Sequence, residues 1–275
     1  MAQNPLQQYF RQPKIFIGLP SKGVYNKQGT VTGDVTNMPV FGMTGMDEIL
    51  MKTPDALMSG ESTIKIIESC CPFIKDGSDL SLLDLDLTLT AIRIATYGNI
   101  MEILHTCPAC NTENEYHIDL GKMIEHFATC QYDNEVVLKD LTIKTQPLTY
   151  QQSTDFNIKN FQLQQQLRQT ESIEDEAEQK RVVAEIFKEL GLLQNEIFSA
   201  SIESVQTTST VVTERLFINE WLSNCDKDVF DSLRTQFEKN RETWKVPAHE
   251  VKCDACGSQN KVAVDLDEAS FFARA

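Results

Sequence analysis

The sequence predicts an α+β protein in four stretches. An N-terminal extended β arm covers residues 1–42 and a helical body segment covers 43–104. A ribbon is assembled from 105–120 plus 246–275, and a hairpin and helical insertion over 121–245 separates its halves. Three observations predict this layout. A cysteine motif occurs twice, near opposite ends of the chain. Between the copies, apolar residues recur at helical spacing in an acidic context. Ahead of the first copy, short apolar runs broken by turn residues give way to a helical pattern.

Of 275 residues, 41% are hydrophobic and 24% charged, ordinary values for a globular chain that argue against global disorder. Forty acidic and 25 basic side chains give a formal charge of −15, which would repel a polyanion over most of the surface. No uninterrupted apolar run approaches the ~20 residues of a membrane span. The first eight residues lack the apolar core of a secretory signal. The expectation is a soluble, intracellular protein.

The arm is argued from charge and punctuation. Residues 1–33 hold Arg11, Lys14, Lys22 and Lys27 and no acidic residue. Ile15-Phe16-Ile17 reads as a strand leading into the turn-rich Gly18-Leu19-Pro20-Ser21-Lys22-Gly23-Val24-Tyr25. Gly18 and Gly23 have phosphate-loop spacing, but Val24-Tyr25 stands where Lys-Ser/Thr is required, so that motif is rejected. Gly29–Val35 and Met38-Pro39-Val40 are further extended runs. Such an arm is expected to add a strand to a neighbour's sheet, with Arg11, Lys14 and Lys22 steering it toward acidic surfaces, another copy of this chain included.

The helical body begins after Met43, where Thr44 and Asp47 approximate a capping box with Asp in the usual Glu position. Ile49, Leu50, Leu57, Ile64 and Ile67 mark broken helical faces interrupted by Pro54 and Gly60. Leu82–Leu89 alternates like a strand, but Ala91–Gly98 is helical in character, so one helix over 84–98 is favoured. Cys70 and Cys71 end an apolar stretch and read as small buried side chains.

The repeat carries the chemistry. Residues 107–120 and 253–266 both fit C-x-A-C-x-[ST]-x-N-x-x-x-[IV]-D-L. Two residues between cysteines let both sulfurs face one ion. The residue after the second cysteine commonly needs φ > 0, which Gly257 supplies and Asn111 tolerates. Cys107, Cys110, Cys253 and Cys256 together form a closed Cys₄ set suited to tetrahedral structural zinc, and iron is the runner-up because thiolates alone do not choose between the metals. Two separate redox pairs would require strand-to-helix junctions, whereas strand-like residues follow both motifs. Gathering the knuckles closes a gap of 142 residues, costing roughly 4 kcal/mol of chain entropy, against on the order of 10–16 kcal/mol from zinc in finger peptides. Cys130 and Cys225 have no ligand-spaced partner. His105 and His249 flank the knuckles as outside candidates for ligand replacement, and His117 and His126 carry no specific signal.

In the insertion, Glu135–Lys144 reads as a hairpin closed by Pro147. A glutamine-rich helix follows around Phe161, Leu163 and Leu167. Val183, Ile186, Phe187, Leu190, Leu193 and Ile197 then form a helical stripe in a stretch with nine acidic and three basic residues over 171–203. The stripe needs a partner face, expected from the 43–100 helices. Asp226 is placed to cap a helix carrying Val229, Phe230, Leu233 and Phe237, and Lys245-Val246-Pro247 ends it.

No catalytic constellation is legible: H-E-x-x-H, G-x-S-x-G, a complete phosphate loop and the H-x-E of zinc deaminases are all missing from the sequence. Leu19–Tyr25, Met43–Leu50, Thr53–Glu61, Ala91–Gly98, the knuckles Cys107/Cys110 and Cys253/Cys256, and Phe271-Phe272 follow one another along the chain. In these segments and their order the chain resembles the baseplate hub proteins of T-even (T4-like) contractile-tailed bacteriophages. The resemblance implies a non-enzymatic hub subunit or hub-assembly protein that binds other baseplate proteins. It further implies a location in the host cytoplasm during assembly and in the virion tail baseplate. The alternative is a zinc-ribbon module that binds nucleic acid in transcription. The ribbon strands speak against it, because residues 107–120 hold Glu113, Glu115 and Asp119 without Lys or Arg, and 253–266 offer Lys261 alone.

Overall fold

The computed structural model describes residues 4–52, 60–138, 140–264 and 271–272. Leu57, Pro54 and most of the Thr53–Glu61 motif lie outside them, as does the Asp265-Leu266 end of the second repeat. Contacts divide the chain into two compact units, residues 1–131 with 244–275, and residues 132–243.

The first unit is organised around one buried helix. Its elements are strands β1 (Ile15–Ile17) and β2 (Met38–Val40), helices α1 (Gly45–Met51), α2 (Glu61–Cys70) and α3 (Leu82–Tyr97), the hairpin β3 (Ile100–Thr106) and β4 (Glu113–Asp119), and helix α4 (Gly121–Thr129). The predicted capping box holds: Asp47 N–H donates to Thr44 Oγ1 at 3.2 Å, and Thr44 N–H donates to the Asp47 carboxylate at 2.7 Å. Helix α3 starts on a Ser81 cap, and twelve of its residues from Leu83 to Ala95 are buried, so its apolar surface is not confined to one stripe. A helix buried nearly all round loses its 3.6-residue signature, which is why Leu82–Leu89 imitates a strand. Cys70 and Cys71 are fully buried as expected, and burial pushes the Cys70 thiol up to about 12.

The N-terminal stretch differs from the expected free arm. From Arg11 onward part of it is folded into the first unit: β1 pairs antiparallel with β2 in the register Ile15–Val40, Phe16–Pro39, Ile17–Met38, and Ile17, Leu19, Met38 and Val40 are buried, while Phe16 and Val24 stay exposed. Arg11 is not a free steering charge. Its guanidinium donates to Gly42 O (2.7 Å), Ser69 O (2.6 Å) and Ser69 Oγ (2.9 Å). Lys27 is paired with Asp79 at 2.6 Å. The turn at Ser21 is pinned to α3: Ser21 N–H (3.0 Å), Ser21 Oγ (2.5 Å) and Asn26 Nδ2 (2.8 Å) all donate to the buried Asp84 carboxylate. Phe271 and Phe272 are buried, and the Arg93 guanidinium lies 5.4 Å from the Phe271 ring and 5.3 Å from that of Tyr97. Two separate stretches of the resemblance thus meet on one helix.

The second unit has its own core. Strands β5 (Glu135–Leu138), β6 (Leu141–Thr145), β7 (Ile202–Gln206) and β8 (Val211–Val212) form a four-stranded antiparallel sheet in that order. Helices α5 (Tyr150–Gln169) and α6 (Glu176–Ala200) make a helical hairpin, followed by α7 (Arg215–Asn224) and α8 (Lys227–Trp244). The predicted hairpin over 135–144 is present, and the insertion is mainly helical, but β7 and β8 were not anticipated. The α6 stripe finds its partner face inside the unit: Ile186 and Leu193 pack on Leu163, with Phe156, Leu167, Val182 and Leu190 around them. Phe187, counted in the stripe, is 58% exposed. The other end of α6 sends Phe198 into a cluster with Ile143, Ile202, Ile218, Leu222 and Leu233.

Candidate metal centre

Both cysteine motifs sit at hairpin tips. The first lies between β3 and β4, paired from Ile100–Asp119 to Thr106–Glu113. The second lies between β9 (His249–Lys252) and β10 (Gln259–Val262), paired from His249–Val262 to Lys252–Gln259. Residues 100–104, assigned above to the helical body, are therefore strand. Alternation of burial along β3 and β4 marks one face inward, the packing that fixes their register.

The repeated letters produce repeated geometry. Asn111 N–H donates to Cys107 O at 2.8 Å and Gly257 N–H to Cys253 O at 2.9 Å. Cys107 N–H donates to Thr112 O and Cys253 N–H to Ser258 O, each at 2.9 Å. Both turns need a left-handed residue after the second cysteine, and Asn111 (φ 57°) and Gly257 (φ 74°) occupy that region as the spacing required. In each knuckle the first cysteine is buried and the second exposed.

All four predicted sulfurs come together, within 4.8 Å of one another. Two contacts cross between the knuckles: Cys107 Sγ to Cys256 Sγ at 3.8 Å and Cys110 Sγ to Cys253 Sγ at 3.7 Å. A tetrahedron with its centre ~2.3 Å from each sulfur has edges of about 3.8 Å, so the donor set fits a tetrahedral thiophilic ion. His105 and His249 are not part of the cluster.

Polar groups around the sulfurs favour thiolates. Ser258 Oγ lies 3.2 Å from both Cys107 Sγ and Cys256 Sγ, and Thr112 Oγ1 lies 3.4 Å from Cys110 Sγ. The Ser258 hydroxyl, then the Asn260 amide, hold the Cys107 thiol down at about 5, and Ser258 also lowers Cys256. At Cys110 the Thr112 hydroxyl pulls the same way, but the neighbouring Cys256 and Cys253 sulfurs outweigh it and its pKa is raised. Like charges this close cannot all ionise unaided; a divalent cation at their centre removes the conflict.

Two residues of the site were visible in the repeat but given no role. Asn114 and Asn260 share one motif position, are buried, and each crosses to the opposite knuckle: Asn114 Nδ2 to Cys253 Sγ is 3.5 Å, and Asn260 Nδ2 to Cys107 Sγ is 3.4 Å. A second cluster, Glu102, Glu115 and His117, is exposed on the outer face of the first hairpin, with His117 Nε2 3.7 Å from each carboxylate.

Among the described residues no helix is long and apolar enough to cross a membrane. Comparison with curated proteins and with solved structures returned no match. Residues 43–273, which contain both knuckles and the α3 motif, match the family described as T4 bacteriophage base plate protein. The match covers most of the chain and takes in both hairpin tips that converge here, so this protein belongs to the T4 bacteriophage base plate protein family.

Proposed function

We propose that the chain is a non-enzymatic subunit or assembly component of the hub of the contractile-tail baseplate, acting through contacts with other baseplate proteins. It works in the host cytoplasm during assembly and in the virion tail. Family membership over residues 43–273 is the observation that carries this reading. The exposed face of the first hairpin adds to it. Glu102, Glu113, Glu115 and Asp119 point outward there, which suits a protein partner with basic groups and repels nucleic acid.

Within that reading, Cys107, Cys110, Cys253 and Cys256 hold one zinc ion in a closed ribbon site. When bound, the ion supplies no reaction, only a four-way cross-link between segments far apart in sequence. The crossed sulfur spacings of 3.7 and 3.8 Å support it. A staple of this kind gives a small hairpin pair the rigidity that a docking surface requires.

The test uses a tagged full-length chain expressed in infected cells. Recovery of baseplate proteins with the wild-type chain, and their loss with Cys253→Ala but not Cys225→Ala, is the expected result. Cys225 is not one of the four clustered cysteines, and its thiol donates to Leu222 O. Normal tail assembly without the chain would overturn the proposal.

A further inference from the structure

We propose that Asn114 and Asn260 are reciprocal positioning residues of the metal centre, each donating a side-chain N–H across to the first cysteine of the opposite knuckle. The inference rests on the Cys₄ reading above and extends it. It makes each half of the site depend on the hairpin that carries the other half.

The orientation of the Asn114 amide is fixed by backbone groups. Asp254 N–H donates to Asn114 Oδ1 at 3.1 Å, and Asn114 Nδ2 donates to Thr112 O at 2.9 Å. The oxygen end takes the Asp254 N–H while lying 3.5 Å from Cys253 Sγ, the same distance as Nδ2, whose second N–H is the donor left for the sulfur. A metal-bound thiolate has no proton to give, so only the Nδ2–H can complete this contact. The amide thus ties three points together: the turn of its own knuckle, the backbone after Cys253, and the Cys253 sulfur.

Asn260 repeats the contact from the other side, its Nδ2 lying 3.4 Å from Cys107 Sγ. The two clamps are not equal. The residue after Cys253 is Asp254, whose N–H anchors Asn114, while the residue after Cys107 is Pro108, which has no N–H to offer. The Asn114 clamp therefore has a backbone anchor that the Asn260 clamp cannot have.

Both asparagines are buried, at 6% and 8% exposure, and both target the buried cysteine of the facing knuckle. A burial requirement alone is met by an apolar residue at either position. A donor aimed at sulfur is met at these two positions by the amide N–H and not by an apolar side chain. Each N–H withdraws electron density from a thiolate and fixes its lone-pair direction, the role that outer partners play at metal sites generally.

The test compares wild-type full-length chain with Asn114→Ala, Asn114→Asp, Asn260→Ala and Asn260→Asp, each loaded with Co(II) and titrated against a zinc-selective chelator. Asp keeps the oxygen and the shape and removes the N–H; Ala removes the N–H without adding charge. The expected result is a 10–100-fold rise in the metal dissociation constant for every variant, larger at Asn114 than at Asn260. The sulfur-to-cobalt charge-transfer band should move to lower energy in both Ala and Asp forms, which loss of packing alone would not produce. Affinity within twofold of wild type and an unmoved band, in Asn260 variants of unchanged helicity, would overturn the inference while leaving the Cys₄ site standing. A wild-type chain that gives no charge-transfer band would overturn the metal reading itself, and the inference with it.

Discussion

Replacing Asp86 by Asn should stabilise the protein at neutral pH. Asp86 lies on α3, the most buried helix of the first unit, and burial pushes its carboxyl up to about 6 from 3.8. A folded-state pKa above the unfolded one means that folding takes up a proton. The contribution is fully present below about pH 4 and is lost as pH rises through about 6. Roughly two pH units at 1.36 kcal/mol each give an upper figure of about 3 kcal/mol. The residue keeps some solvent-accessible surface although its carboxyl is closely surrounded, so about 1–3 kcal/mol is the working range. Asn removes the charge and keeps the size. Urea unfolding of variant and wild type, followed by far-UV circular dichroism from pH 4.5 to 8, reads the difference, and any effect of metal loss in acid is common to both proteins. The variant should gain about 1–3 kcal/mol at pH 8, and the gain should shrink toward zero near pH 4. A difference independent of pH, or a loss at pH 8, would refute the reasoning.

Phe198→Ala should cost about 3–5 kcal/mol in the second unit, because its ring is buried 4.7 Å from Phe230 and 5.1 Å from Phe237. Hydrogen exchange should show the opening confined to residues of the β5–β8 sheet and the helices packed on it. Arg11→Met keeps the side-chain stem but removes the donors to Gly42 and Ser69, and about 2–3 kcal/mol should be lost in thermal or urea unfolding of the first unit. Gly257→Ala should weaken metal binding about 5–30-fold, since a Cβ at φ 74° costs about 1–2 kcal/mol while its nearest neighbour, Lys252 Cε at 3.5 Å, leaves room for it. Asn111→Gly should bind metal as wild type does, which chelator competition would check.

Local chemistry was the legible part of this chain. The knuckle turns, the Thr44 capping box and the 135–144 hairpin follow from short-range patterns, and the convergence of the four sulfurs follows from a motif repeated across a gap of 142 residues; the structure has each of them. What was misread depends on distant contacts. Residues 1–42 look like a basic arm because the sequence alone does not reveal that Arg11 meets Ser69 or that Lys27 meets Asp79. Strand β3 reads as part of the helical body because it follows α3 after only Gly98 and Asn99 and because Ile100–His105 does not alternate apolar with polar residues, although its burial does alternate. Strands β7 and β8 were hidden in a helical insertion, yet Ser204–Val212 is rich in the β-branched residues and turn formers of a hairpin. The asparagine of the repeat was plain as a letter; its crossing to the opposite knuckle required the three-dimensional arrangement.

Zinc-edge X-ray absorption on chain purified without added metal, with elemental analysis of the same sample, tests the central claim most directly. The account predicts one zinc per chain surrounded by four sulfur atoms at ~2.3 Å with no nitrogen or oxygen ligand, and no zinc in Cys253→Ala. Iron in the same shell would keep the site and change its metal. A mixed shell, a metal-free wild-type chain, or full zinc occupancy in Cys253→Ala would contradict the account.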